Sequence, residues 1–149
     1  MRVLVGADYR GFEKKNQLLK FLAKNGYEVV DAGAYQYNEG DDFNDPAVTV
    51  SLGVRDNRDN RGILICGSAH GMTMQANRFK RVRAAHCETI ESARLAREHD
   101  DANILCLSAE FMDENLIEQI AKTFLDTKFE TLERRVRRIN RLDEREDYD

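Results

Sequence analysis

Short apolar runs alternate along the chain with longer segments in which apolar residues recur every three or four positions. The first run, Val3–Val5, ends at Gly6. Behind it a helical spacing continues as far as Asn25-Gly26, carried by Phe12, Leu19 and Leu22. A compact apolar run predicts a strand, and the spacing after it predicts an amphipathic helix that ends at glycine. The chain therefore begins as a strand followed by a helix.

The same alternation continues through the rest of the chain. Further strands are predicted at YEVVDAG (27–33), GILIC (62–66), VRAAHC (82–87) and NILCL (103–107). Helices are predicted between them, from Pro46 to about Asn57, at GMTMQANRF (71–79) and at TIESARLAREH (89–99). Asp113 is placed to cap a last amphipathic helix with the stripe Leu116, Ile117, Ile120, Ala121, Phe124 and Leu125.

Strands in series with helices indicate a parallel sheet. GILIC and NILCL are apolar at nearly every position, which is typical of strands covered on both faces. The predicted fold class is α/β, a Rossmann-like three-layer α/β/α sandwich with a five-stranded parallel sheet and a C-terminal helix. Ligands of such sheets bind at the carboxyl ends of the strands. Here those ends are residues 6–10, 33–45, 66–71, 86–88 and 108–110.

The C-terminal segment differs in kind from the rest of the chain. Residues 128–149 hold seven basic and seven acidic side chains, with Val136 and Ile139 as apolar anchors. We therefore divide the chain into a domain at 1–127 and a charged helix and tail at 128–149. That tail either belongs to the same domain or spans to a second subunit, and its helix is expected to pack on a neighbour and then fray.

Composition narrows the classes of protein that fit. A net charge of −4 over 149 residues argues against general nucleic-acid affinity. Three cysteines without a disulfide spacing favour reduced thiols and a cytoplasmic location. No run approaches the roughly 20 apolar residues of a spanning helix, so no membrane association is expected.

Cys66 is the first candidate for chemistry, because it joins the strand GILIC to a glycine-containing turn and a helix. Free amides and a helix N-terminus favour an anion, so we expect a lowered thiol pKa, and Gly67 and Gly71 would leave the turn amides free to bind an oxyanion. The alternative is a buried core cysteine, which is how we interpret Cys87 and Cys106. A zinc site drawn from Cys66, His70, His86 or His99 lacks a recognisable ligand spacing.

Two more polar residues have open interpretations. His99, at a predicted helix C-terminus, is either functional or a surface histidine paired with Asp100 or Asp101. Asp8 either binds a sugar hydroxyl or caps the next helix.

Several motifs together resemble the family of ribose 5-phosphate isomerase type B and galactose 6-phosphate isomerase. They are GAD at 6–8 with GFEKK behind it, GYEVVDAG at 26–33, GILICG at 62–67 followed by GM and AN, SARLAREH at 92–99 and DANILCL at 101–107. The resemblance covers residues 1 to about 127 in register. It implies aldose–ketose isomerisation through a cis-enediolate, without metal or organic cofactor, in a homodimer with active sites at the subunit interface.

The resemblance also implies residue roles. Cys66 would be the base that moves a proton between C1 and C2, the amides of residues 67–71 would hold the enediolate oxygen, and Ser68 would orient the thiol or the substrate. His99 would open the sugar ring, and Asp8 would contact the sugar. The expected catalytic set is Cys66, Ser68, His99 and Asp8. The expected substrate-binding set is Tyr9, Arg10, Gly67, Ala69, His70, Gly71, Asn77, Asp100, Arg135 and Arg138.

Several residues depart from the family pattern at positions that would bind the substrate, so the identity of the sugar is left open. Tyr9 stands where the family has histidine, Glu110 where it has arginine and Asp100 where it has asparagine. His70 is unexpected in the turn, and the C-terminal arginine motif appears only as TLERRVRR at 131–138.

Losing three charged donors would weaken phosphate binding on the order of a thousandfold, unless Arg10, His70 or Arg134, Arg135 and Arg138 compensate. Besides ribose 5-phosphate isomerisation, three hypotheses remain. They are a relative with an altered or unphosphorylated sugar, a non-catalytic sugar or anion binder, and weak nucleic-acid binding through residues 134–141.

Overall fold

The computed structural model describes residues 1–144 and has a single five-stranded sheet. The strands are β1 (Arg2–Ala7), β2 (Glu28–Asp31), β3 (Arg61–Cys66), β4 (Ala84–His86) and β5 (Ile104–Ser108). All neighbours pair in parallel, in the order β2-β1-β3-β5-β4. The predicted α/β class and the parallel five-stranded sheet are confirmed.

Within residues 1–144, six helices pack around the sheet or on its neighbouring helices. They are α1 (Phe12–Lys24), α2 (Asn44–Asp56), α3 (His70–Ala76), α4 (Ile90–Asp100), α5 (Glu114–Asp126) and α6 (Glu133–Asp143). α2 begins two residues before the predicted start, so Pro46 lies in its first turn, where a missing N–H breaks no intrahelical bond. α3 ends at Ala76 instead of Phe79, because the next residues continue as tight turns.

Alternate residues of each strand point to opposite faces and so build two cores. On β3, Ile63 and Ile65 pack with α1, α4 and α5, whereas Leu64 and Cys66 pack with α2 and α3. The two-sided covering explains why GILIC is apolar throughout. Cys87 and Cys106 are buried free thiols in these cores, as predicted.

Helix caps follow the sequence signals. Asp113 accepts a hydrogen bond from the Leu116 amide at 2.8 Å and starts α5, which confirms the predicted cap. Thr89 does the same for α4 through the Ser92 amide at 3.0 Å. These caps fix where each helix leaves the carboxyl edge of the sheet.

The C-terminal helix packs on the rest of the chain. α6 lies against α4, and Ile139 is its buried apolar anchor. Residues 145–149, where fraying was predicted, lie outside the described part. None of the helices in residues 1–144 has the length and apolar character needed to cross a membrane.

Candidate active site

The candidate site lies between the carboxyl ends of β1 and β3, at the point in the sheet where the strand order changes direction. β2 lies next to β1 on one side of this point, and β5 lies next to β3 on the other side. The β1–α1 loop lies directly on the end of β3, since a Cβ built on Gly11 would be 2.3 Å from the Ile65 carbonyl oxygen. Crevices of this kind are where open α/β sheets bind ligands.

Cys66 lies at the bottom of this crevice with its thiol almost fully buried. Burial raises the pKa of the Cys66 thiol, and the backbone N–H groups of Met72 and Ala69, together with Arg10, act in the opposite direction. The predicted lowering of this pKa is therefore wrong for the free protein. Desolvation outweighs the amides, and the helix behind the turn has only seven residues.

The turn after Cys66 holds its shape through an unusual backbone position. Ala69 has φ 72°, in the left-handed region, and is fully buried. The amide of Thr73 donates to the Ala69 carbonyl at 3.1 Å and its hydroxyl donates to the same oxygen at 2.6 Å. Strained residues of this kind persist where surrounding contacts over-determine them, often at active sites.

Glycine is needed at positions 67 and 71 because neighbouring side chains approach the backbone closely there. It is not needed for a left-handed backbone conformation. A Cβ on Gly67 would lie 2.8 Å from the Arg10 side chain and 2.9 Å from Glu110 Oε1. A Cβ on Gly71 would lie 2.6 Å from the ring of Phe43. The turn is therefore closed in by neighbouring side chains. Within it the His70 amide donates to the Ser68 hydroxyl at 3.4 Å, which is a weak bond.

Asp8 forms the opposite wall of the crevice and is buried. Its Oδ1 accepts from the amides of Arg10 at 3.0 Å and Gly11 at 3.1 Å, so Asp8 holds the turn before α1. Burial raises the pKa of the Asp8 carboxyl, and the charge of Asp41 adds to the effect. Because both bonds use Oδ1, Oδ2 is left for a ligand hydroxyl.

Arg10 and Glu110 meet above the turn, although they are 100 positions apart. Arg10 Nη1 lies 2.6 Å from Glu110 Oε1, and Arg10 Nε donates to the Tyr9 hydroxyl at 3.1 Å. The side chains are 51% and 45% exposed, so the ion pair adds little stability. Two residues singled out separately in the sequence thus form one charged cluster over Gly67.

Two histidines lie side by side at the same edge of the sheet. The rings of His70 and His86 are 5.7 Å apart at their centroids and meet edge to face. His86 Nε2 is buried without a hydrogen-bond partner in residues 1–144, although Glu88 Oε1 lies 3.3 Å away. Within the described chain, no three histidines, cysteines or carboxylates cluster closely enough to hold a metal.

The Asn77 side chain is used by the backbone of β4. It donates to the Ala84 carbonyl at 2.9 Å and accepts from the Ala84 amide at 2.8 Å. Its predicted role in substrate binding stays a prediction, since these bonds give it a structural task.

The remaining predicted residues lie at the opposite, amino edge of the sheet. α4 runs back from the carboxyl edge for 11 residues, about 16 Å, and His99 and Asp100 are its last two. His99 Nε2 lies 3.6 Å from Glu98, so the predicted pairing with Asp100 or Asp101 is wrong; Asp101 instead binds Arg83 and Arg97. In one chain, therefore, Cys66 and His99 do not meet.

The two arginines of the predicted set belong to α6. Arg135 Nη1 donates to the Glu98 carbonyl at 3.2 Å and also pairs with Glu130, which fixes it beside the end of α4. Arg138 is exposed. Arg135 thus lies beside the end of α4 that carries His99, far from the thiol of the same chain.

Sequence reasoning missed Asp41 and Phe43 in the loop between β2 and α2. Asp41 Oδ1 accepts from the Tyr9 amide at 3.1 Å, while its Oδ2 is buried without a partner in the described residues. Phe43 covers Gly71. The only signal was their position after a strand, because the loop residues between Gly33 and Asp45 follow no periodic pattern.

These features define a class of protein before any relative is considered: an α/β enzyme with a thiol, a carboxylate and a glycine-containing turn converging at the switch point of a parallel sheet. The sequence matches the Ribose/Galactose Isomerase family over residues 3–142. The chain therefore belongs to the ribose/galactose isomerase family, as its motifs predict, and is an aldose–ketose isomerase of that family.

Relatives extend over almost the whole chain. A probable ribose-5-phosphate isomerase B of Mycoplasma pneumoniae is 37% identical over 130 residues, which is 86% of this chain and 84% of the relative. A 4-deoxy-4-sulfo-D-erythrose isomerase of Clostridium sp. (strain MSTE9) is 37% identical, over 87% of this chain and 81% of the relative.

A solved structure is also similar. The crystal structure of ribose-5-phosphate isomerase B from Mycoplasma genitalium, with bound ribulose-5-phosphate, superposes with a TM-score of 0.92 and is 36% identical, covering 95% of this chain and 93% of that one.

Proposed function

We propose that this enzyme interconverts an aldose phosphate and the corresponding ketose phosphate through a cis-enediolate, with ribose 5-phosphate and ribulose 5-phosphate as the first pair to test. The observation that carries the proposal is the Cys66 thiol, buried at the switch point beneath the amides of the turn. The ribulose-5-phosphate held by the similar Mycoplasma genitalium enzyme supports the choice of sugar.

The chemistry follows from the two groups that meet there. The Cys66 thiolate removes the proton from C2 of the open-chain aldose, and the electron pair becomes the enediolate. The amides of residues 67–71 stabilise the negative oxygen, which is the largest contribution expected of such a site. The thiol then returns the proton to C1, while the hydroxyl protons exchange between O1 and O2. No electron leaves the substrate, so no redox partner is needed.

We propose a homodimer, because one chain cannot bring its histidine to its thiol. His99, Arg135 and Arg138 lie at the amino edge, about 16 Å along α4 from the carboxyl edge. Around the carboxyl edge, four large apolar or aromatic side chains are exposed, as expected of an interface. They are Tyr35, Tyr37, Met74 and Phe111.

In the proposed dimer, the amino edge of one subunit would cover the thiol of the other. His99 then opens the sugar ring in the partner's site, and the segment from residue 128 serves as a dimer-spanning helix that carries Arg135 and Arg138. A cytoplasmic location is part of the same proposal.

A second candidate is an isomerase for a sugar with a different terminal group. The observation that favours it is the cluster of Tyr9, Arg10 and Glu110, in which a carboxylate already occupies the guanidinium. The Clostridium relative acts on a sulfonated four-carbon sugar, so the family accommodates more than phosphate. A panel of ribose 5-phosphate, ribose, a four-carbon aldose phosphate and its sulfonate analogue separates the candidates by kcat/KM.

The proposed base is tested by Cys66→Ala. General-base catalysis contributes about 10²- to 10⁴-fold to the rate, so the kcat of the variant should fall by at least about a hundredfold. Cys87→Ala is the matched control, because it removes an equally buried thiol of the other core. Turnover by Cys66→Ala equal to that of Cys87→Ala, with both folded by circular dichroism, would rule the mechanism out.

A further inference from the structure

At the amino edge of the sheet, a cavity of about 270 Å³ lies beneath α6, well away from the thiol. Arg61 is the first residue of β3 and lines the cavity, whereas Cys66 is the last, so the two are separated by about 16 Å of strand. The volume is slightly smaller than that of typical small-molecule sites, which hold roughly 300–1,000 Å³. The space therefore suits one small molecule.

Arginine dominates one side of this space, which we call the arginine cavity. Five arginines line it against two aspartates: Arg55, Arg58, Arg61, Arg81 and Arg83, with Asp101 and Asp143. Both aspartates already pair with Arg83, and Arg55 pairs with Asp56 outside the lining. No carboxylate of residues 1–144 forms an ion pair with Arg58, Arg61 or Arg81.

The positive charge of the arginine cavity is therefore only partly neutralised by ion pairs within residues 1–144. Arg61 is the most constrained of the three, since its Nη1 donates to the carbonyls of Arg58 and Asn60 at 3.0 and 2.9 Å. Burial, together with the charges of Arg97 and Arg83, lowers the pKa of the Arg61 guanidinium, and the charges of Asp101 and Asp59 only partly oppose this. A bound anion would relieve both effects. Guanidinium groups at close quarters are the usual recognition elements for phosphoryl oxygens.

The other side of the arginine cavity is apolar. It consists of Val54 from α2, Phe129 from the segment before α6, and Val136 and Ile139 from α6. An inorganic ion would leave this wall unused, whereas a ring or chain attached to the phosphoryl group would pack on it. The combination of cationic and apolar walls distinguishes the site from a solvated basic surface.

The arginine cavity is also distinct from the arginines proposed for substrate. α6 faces it through Val136, Ile139, Asn140 and Asp143, which recur at helical spacing. Arg134, Arg138 and Arg141 fall on the opposite face of the same helix. A ligand in the cavity would therefore contact a different surface from a sugar held by Arg138.

We propose that the arginine cavity is a second binding site, which takes a small phosphate monoester carrying an apolar or aromatic ring. The proposal does not depend on the identity of the sugar substrate.

The test is calorimetric titration of the full-length protein with phenyl phosphate and with AMP. Each probe should bind, and inorganic phosphate should bind more weakly because it cannot use the apolar wall. The double variant Arg58→Gln with Arg81→Gln should weaken binding by roughly a hundredfold or more, since each of the two lost charged hydrogen bonds costs about tenfold or more.

Two controls separate this site from others. Arg78→Gln removes the same charge from an exposed position outside the cavity and should leave binding unchanged. Arg138→Gln, which tests the proposed substrate site, should also leave it unchanged. The proposal is overturned if neither probe binds, if the double variant binds like the native protein, or if Arg138→Gln is the variant that loses binding. Equal affinity for inorganic phosphate would overturn the role of the apolar wall.

Discussion

The two edges of the sheet carry opposite halves of the proposed chemistry. At the carboxyl edge, Cys66 and Asp8 lie buried beneath a turn of amides. At the amino edge, His99 ends α4 beside Arg135 and the arginine cavity. A parallel sheet forces this division, because each strand end and the end of the helix that follows it lie on opposite sides. A single chain therefore separates the groups that, as we propose, act together in isomerisation.

Charge follows the same division. Around the thiol, Arg10 lies near the carboxylates of Asp8 and Glu110, and Asp41 lies near Asp8. At the amino edge, unpaired arginines are in excess over aspartates. An anionic substrate is therefore poorly attracted by the carboxyl edge of one chain. The amino edge of a second copy would supply the missing positive charge.

The largest expected effect comes from mixing two inactive variants. Cys66→Ala and His99→Ala should each lose most activity, whereas an equal mixture of refolded subunits should recover about a quarter of it, because half of the dimers hold one intact site. Turnover with ribose 5-phosphate, or with the best sugar of the panel, measures the recovery. If the mixture stays inactive while mixed dimers form, each site uses a thiol and a histidine of the same chain.

The pH dependence of kcat/KM should show an effect of intermediate size. Because burial raises the thiol pKa, the thiolate is the minor form at neutral pH, and kcat/KM should rise about tenfold per pH unit through neutrality.

Two neighbours should move this profile in opposite directions. Arg10→Gln removes a charge that lowers the pKa of Cys66 and should shift the profile to higher pH, whereas Asp8→Asn removes a charge that raises it and should shift the profile to lower pH. A profile that ignores both substitutions would show that Cys66 does not titrate in the rate-limiting step.

The smallest effect is expected from Glu110→Gln. Neutralising Glu110 frees Arg10 for the substrate and removes repulsion, so kcat/KM for ribose 5-phosphate should increase about three- to tenfold, with little change for ribose. Glu28→Gln is the matched control, since it breaks a similarly exposed pair with Arg2, 3.0 Å apart, away from the site. A decrease for ribose 5-phosphate would instead mean that Glu110 binds a hydroxyl of the substrate.

Much of the architecture could be predicted from the chain. The five strands and the cap at Asp113 depend on local signals, and the sequence placed them within a few residues of their true bounds. The observed helix boundaries differ from the predicted ones where local signals compete. One example is Pro46, because proline suits any position in the first helical turn. Membership of the family also followed from motifs that lie in register.

The site was predicted less completely. Cys66, Asp8 and the turn were placed correctly at the carboxyl edge because strand ends are visible in the sequence. The direction in which the thiol pKa shifts was predicted wrongly, because desolvation depends on how tightly α2 and α3 cover the sulfur. Asp41 was missed because only the folded loop brings its carboxylate to the Tyr9 amide.

The sequence by itself determined the layers, the location of the thiol at a strand end and the family, because each depends on residues close together along the chain. Only the tertiary structure decided the strand order, the pairing of Arg10 with Glu110 and the gathering of five arginines around one cavity. It also decided that His99 lies a helix length away from Cys66. These features join residues distant in sequence, and which distant residues meet is settled by the packing of the whole chain.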